Sequence, residues 1–153
     1  MRRLELRVPP PALMAMVALA MWLAARSIPA LDWAMPARGA VAALLAVAGL
    51  AVAAIAIVQF RRALTTPNPM KPHEASALVA TGIYRLSRNP MYVGDLLILA
   101  AWAVWLANVA AFLGLPAFVA YLNRFQIAPE ERVLEARFGA GYHAYRRSVR
   151  RWL

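Results

Sequence analysis

The chain has 153 residues, 63% of them hydrophobic, with no cysteine and a formal net charge of +10. Soluble domains are about 45–50% apolar, so the composition excludes an ordinary water-soluble fold and predicts an all-α polytopic membrane protein. Without cysteine there is no disulfide, no thiolate metal ligand and no thiol nucleophile.

Four apolar runs are predicted as transmembrane helices within one domain covering residues 1–153. The first, Pro11 to Ile28, leads into a short external connection punctuated by Pro29, Pro36 and Gly39. The second, Ala40 to Phe60, carries Gly49 among many alanines, the small surface that membrane helices use for close packing. Leu64 to Pro72 is Pro-punctuated and cannot be one helix. The third run, Met91 to Leu106, holds a single charge, Asp95, and the fourth, Val109 to Ile127, holds Asn123 and Arg124 near its end. A helix rises about 1.5 Å per residue, so runs of about 17–25 residues can span a bilayer. Beyond Ile127, Pro129 suits the first turn of a new helix, Glu130 and Glu131 favour its positive end, and Gly139 or Gly141 would end it. Tyr142, Tyr145, Val149 and Trp152 then fall on one stripe, the pattern of an interfacial helix.

Charge sets the expected orientation. Arg26 and Arg38 flank the first external connection, and the other fifteen of the seventeen cations lie before the first run, in the central loop or after Asn123. The positive-inside rule makes that side cytoplasmic, so both termini are expected in the cytoplasm of a bacterial cell membrane. Reading the first run as a cleaved signal would leave three spans and put the basic tail outside. The positive charge is explained by orientation and by contact with anionic membrane lipids, without nucleic acid. Four short spans could also assemble as a homo-oligomer.

Two polar blocks carry chemistry. Thr81 to Asp95 is an Arg-rich loop running into the third span; Ala128 to Tyr142 follows the fourth. An antiparallel hairpin between them returns both to the same membrane face. Such a place suits a charged cofactor on one side and a greasy substrate on the other. Asp95 lies about one turn inside its span, and an intramembrane acid is a functional candidate, here on the substrate side. Simpler roles compete: Glu130 and Glu131 as helix-start charges, Arg88 as a headgroup anchor, Pro90 as a helix-start residue, and Tyr92, Tyr142 and Tyr145 as belt aromatics.

Thr65-Thr-Pro-Asn-Pro69, Leu78 to Tyr84, Ser87-Arg-Asn-Pro-Met-Tyr-Val-Gly94 and Pro129 to Gly139, followed by Tyr142 and Tyr145, stand in one order. The stretch Arg61 to Leu153 resembles the isoprenylcysteine carboxyl methyltransferase and phospholipid methyltransferase superfamily, in particular its small bacterial members. The resemblance implies an integral membrane methyltransferase using S-adenosylmethionine, with a lipophilic or small-molecule acceptor. It places the cofactor in residues 81–95 and 128–153, on Tyr84, Arg88, Asn89, Pro90, Tyr92, Gly94, Glu130, Glu131 and Tyr142, with no metal. Where the family often has His, this chain has Asn89, which cannot titrate near neutral pH and is read as a binding residue.

The residues are compatible with that chemistry. Glu130 or Glu131 could meet the cofactor's ammonium, Arg88 or a helix N-terminus its carboxylate, and Tyr92, Tyr142 or His73 its adenine or ribose. A thiol, carboxyl or amine acceptor all stay open, with selectivity expected from the first two spans and the Thr65 to Ala80 loop. A nicotinamide-dependent membrane reductase is the alternative enzyme, and a transporter or structural membrane protein the alternative class.

Overall fold

In the computed structural model, residues 5–63 and 77–153 are described. Arg2, Arg3, Lys71, His73 and residues 65–76 of the expected selectivity loop lie outside them.

The described chain is all-helical, as expected. It comprises α1 (Pro10–Ser27), α2 (Arg38–Arg62), α3 (Pro90–Leu106), α4 (Gly114–Tyr121) and α5 (Ala128–Ser148). Short 3-10 turns occupy Pro29–Leu31, Gly82–Arg85 and Val109–Leu113. Among the described residues, α1 and α2 are long and apolar enough to cross a membrane, and α3 is a shorter apolar helix of 17 residues. The fourth expected span is not one regular helix: the 3-10 turn at Val109–Leu113 leads into α4, which passes into a π-helical turn, Leu122–Ile127.

α1 and α2 leave much of their apolar surface uncovered, including Leu19 at 57%, Leu44 at 71% and Leu50 at 60% exposure. Leucines exposed in rows along two helices cost heavily in water and nothing in hydrocarbon. Inside, Leu13 and Met21 of α1, Leu99 and Ala103 of α3, and Phe118 of α4 form the main core.

Two glycines fix how closely α2 and α3 cross. A Cβ on Gly94 would lie 2.7 Å from the Gly49 carbonyl oxygen, and one on Gly49 would lie 2.7 Å from that of Gly94. At the other end of the bundle, the fully buried Asn108 ties the two hairpin turns together. Its Nδ2 donates to the Ile28 carbonyl at 2.9 Å and to Asp32 Oδ1 at 2.7 Å, while its Oδ1 accepts from the Ala110 N–H.

Three features of the last third depart from expectation. First, Pro129, Glu130 and Glu131 stand in the first turn of α5 as expected, but that helix does not start afresh: the π turn through Ile127 runs straight into it. Proline has no N–H to give the carbonyl four residues back. The Phe125 carbonyl accepts instead from the backbone N–H of Leu6 at 3.0 Å, and a π turn occupies the residues just before the proline. Second, Gly139 breaks the helix, with φ 47° and ψ −120°, but the helix resumes and ends only at Ser148. No atom lies within 4 Å of where its Cβ would be, so the glycine is needed for conformation and not for space. Third, the aromatic stripe is no interfacial helix. Tyr142, Tyr145 and Val149 are buried against Val79, Tyr84 and Ala56. Trp152, beyond the helix, donates its indole N–H to Asn123 at 3.0 Å.

Candidate active site

The hairpin formed by α3 and the run from Val109 to Ile127 brings the two polar blocks together. The joint is a hydrogen bond from the Tyr92 hydroxyl, in the first turns of α3, to Glu130 Oε1 of α5 at 2.7 Å. Gln126 of the π turn donates to the same oxygen. These are bonds to a charged acceptor, about 1.5–3 kcal/mol each. No cation pairs with Glu130 among the described residues. Burial pushes its carboxyl up to about 7, although the Tyr92 and Gln126 bonds pull the other way.

Its neighbour has the opposite surroundings. Glu131 is buried between two arginines: Arg88 Nη2 lies 2.9 Å from Oε1, and Arg151 forks onto both oxygens at 3.1 and 2.6 Å. The bond to Glu131 also raises the pKa of the Arg151 guanidinium. Removing one partner of a buried ion pair leaves an uncompensated charge and costs about 3–5 kcal/mol. Two adjacent glutamates, equivalent in sequence, therefore differ in kind. Glu131 is consumed by the fold, and Glu130 has charge to spare.

Arg88 is the reverse case. Its side chain is only 9% exposed, and one of its nitrogens is spent on Glu131. Its Nε and Nη1 are buried without a hydrogen-bond partner among the described residues, and so is the Tyr84 hydroxyl. A buried donor left unmade costs about 1–3 kcal/mol, so these atoms mark a place where ligand oxygens would be welcome. Tyr84 lies within electrostatic reach of Glu130, and burial raises its phenol's pKa well above the usual value. Tyr142, pushed up to about 12 chiefly by burial, lies within reach of Glu131, Arg88 and Arg151. Tyr145 donates to the Tyr84 carbonyl at 2.7 Å and holds the 3-10 turn against α5.

The other expected residues are placed as follows. Pro90 is the buried first residue of α3. Asn89 donates its side-chain amide to the Arg151 carbonyl at 2.9 Å, beside a backbone bond from Arg88 N–H to the Arg150 carbonyl at 3.0 Å. Asn89 thus fastens the segment after α5 across the start of α3. Gly94 sits at the crossing with Gly49. Asp95, the next residue along, is half-buried and makes no hydrogen bond or ion pair with any described residue, yet it lies within electrostatic reach of the Tyr92 hydroxyl.

Sequence reasoning missed Arg151, Gln126 and Ser87. Arg151 looked like one more arginine of a basic tail, and its reach to Glu131 depends on the chain turning back after Ser148. Gln126 offered a faint signal as a polar residue four before Glu130, one helical turn away. Ser87 accepts from the Asn89 N–H at 3.1 Å and donates to the Arg151 carbonyl, contacts that only the folded chain defines.

Comparison with known proteins gives the family. The model of the phospholipid methyltransferase family matches residues 37–141, and the chain belongs to that family. Membership implies methyltransferase activity and, with the apolar helices, a membrane protein. A Haemophilus influenzae protein, described as uncharacterized, is 52% identical over 63 residues, which are 41% of this chain and all of that protein. No solved structure matches the chain.

Proposed function

We propose that this protein is an S-adenosylmethionine-dependent methyltransferase of the membrane, acting on a lipophilic or small thiol, carboxyl or amine acceptor. The observation that carries the reading is the buried guanidinium of Arg88, with two nitrogens unpartnered among the described residues and the third held by Glu131, whose neighbour in the chain is the cation-free Glu130. The amino-acid end of the cofactor is the complement of that pair, with a carboxylate for Arg88 and an ammonium for Glu130. Tyr84 and Tyr142 stand where they can meet the remaining polar atoms. When bound, the cofactor supplies an electrophilic methyl on a sulfonium; the protein's part is to align the acceptor with it and exclude water. In this reading the chain crosses a bacterial cell membrane four times, through α1, α2, α3 and the run from Val109 to Ile127. Both termini and the polar cluster then lie in the cytoplasm.

Calorimetric titration with S-adenosylhomocysteine tests the assignment on the wild type, Arg88→Lys and Glu130→Gln. Lysine keeps the charge and the ion pair but has no fork of donors. Saturable binding by the wild type, weakened at least about tenfold in each variant, is expected for lost charge-assisted bonds. A folded wild type that binds a nicotinamide nucleotide and not S-adenosylhomocysteine would overturn the reading.

A further inference from the structure

After α5 the chain turns back over the start of α3. Val149 is buried, and the carbonyls of the next two residues are both taken. That of Arg150 accepts from the Arg88 N–H at 3.0 Å, and that of Arg151 from the Asn89 side-chain amide at 2.9 Å and the Ser87 hydroxyl at 3.3 Å. Trp152 is tied to Asn123 through its indole. Arg151 is thus fastened on both sides along the backbone, and its side chain lies on Glu131.

The two arginines divide Glu131 unequally. Arg151 takes both oxygens, Nε on Oε1 at 3.1 Å and Nη2 on Oε2 at 2.6 Å, whereas Arg88 has only Nη2 on Oε1 at 2.9 Å. An arginine and a carboxylate frequently close a two-bond fork. For Arg88 that fork would need Oε2, the atom that Arg151 Nη2 occupies. A fork would also use two of the three guanidinium nitrogens of Arg88. The single bond leaves two, Nε and Nη1, the buried donors without a partner among the described residues. Arg88, Arg151 and Glu131 together sum to one positive charge, which an incoming carboxylate balances.

We propose that Arg151 is a positioning residue: by holding both oxygens of Glu131 it keeps Arg88 from closing on that carboxylate and reserves the Arg88 donors for the carboxylate of the cofactor. The inference rests on the methyltransferase reading and adds to it a residue that acts through Arg88. Buried donors left unmade are costly, so Arg88 alone would relax onto Glu131. A second guanidinium, already fastened in place by the backbone around it, prevents that.

The test is calorimetry on the full-length protein in nanodiscs with two probes, S-adenosylhomocysteine and its decarboxylated analogue, which keeps the ammonium and the adenosine. The wild type should prefer S-adenosylhomocysteine by about tenfold or more, the worth of a charge-assisted bond. In Arg151→Gln, affinity for S-adenosylhomocysteine should fall about tenfold while that for the decarboxylated analogue holds, so the preference disappears. Arg151→Lys keeps a charge beside Glu131 but has no fork for both oxygens. It should lose part of the preference in the same selective way, and it decides the matter if Arg151→Gln does not fold. An equal loss for both probes would make Arg151 only a brace of the fold and overturn the proposal, as would a preference unchanged in the folded variant. A wild type that binds neither probe removes the methyltransferase reading itself. A wild type that binds both alike overturns the role of Arg88, and this proposal with it, and leaves cofactor binding standing.

Discussion

If Glu130 holds an ammonium, cofactor affinity must follow its ionisation. Its carboxyl is pushed up to about 7 in the folded protein, first by burial and in part by the neighbouring charge of Glu131. Only the carboxylate form attracts a cation. S-adenosylhomocysteine should therefore bind more tightly as pH rises through 7 and level off above it. Two pH units below that value the loss approaches about 2.7 kcal/mol, or about a hundredfold in affinity. Folding stability without ligand runs the other way. The folded state keeps its proton between the ordinary carboxyl range and about 7, where the unfolded chain has lost it, so stability falls as pH rises through that window and is flat above it. Calorimetry from pH 5 to pH 8 on wild type and Glu130→Gln measures the first effect. Thermal unfolding over the same range measures the second. A flat wild-type affinity curve, or a slope that persists in Glu130→Gln, would refute the assignment of Glu130 to the ammonium.

Two further substitutions probe how the fold holds the site. In Gly94→Leu the new side chain meets the Gly49 carbonyl and Ala53, so α2 and α3 must part; overpacking of this kind costs about 1–3 kcal/mol, and a lower unfolding temperature in detergent is expected, whereas an unchanged one would mean the crossing is looser than described. Pro129→Ala restores an N–H that competes with Leu6 for the Phe125 carbonyl; the π turn should relax toward an α-helix and move Gln126 relative to Glu130. Unfolding temperature should hold or rise while S-adenosylhomocysteine binding weakens, and unchanged binding would show that the π turn does not position the site.

The sequence by itself determined the solvent, the helices and which stretches of chain meet. Apolar runs of membrane length need no tertiary information, because intrahelical bonds satisfy every backbone group wherever the segment lies. The hairpin that joins Tyr92 to Glu130 was legible for the same reason: antiparallel helices of similar length return their ends to one level. Asp95 was legible as a lone charge in an apolar run. Other features depended on contacts between distant parts of the chain. The fourth run is regular in composition but not in hydrogen bonding, since the carbonyl freed by Pro129 is satisfied from Leu6, more than a hundred residues earlier. The aromatic stripe after Gly139 fits a membrane interface as well as a protein core, and only packing on Val79 and Tyr84 decides for the core. Glu130 and Glu131 are the same residue type at adjacent positions. One is neutralised by Arg88 and Arg151 and the other is left with neutral donors, because adjacent residues on a helix point about 100° apart and meet different neighbours. Charge on a side chain is written in the sequence; whether that charge is already spent is settled only by what the folded chain puts beside it.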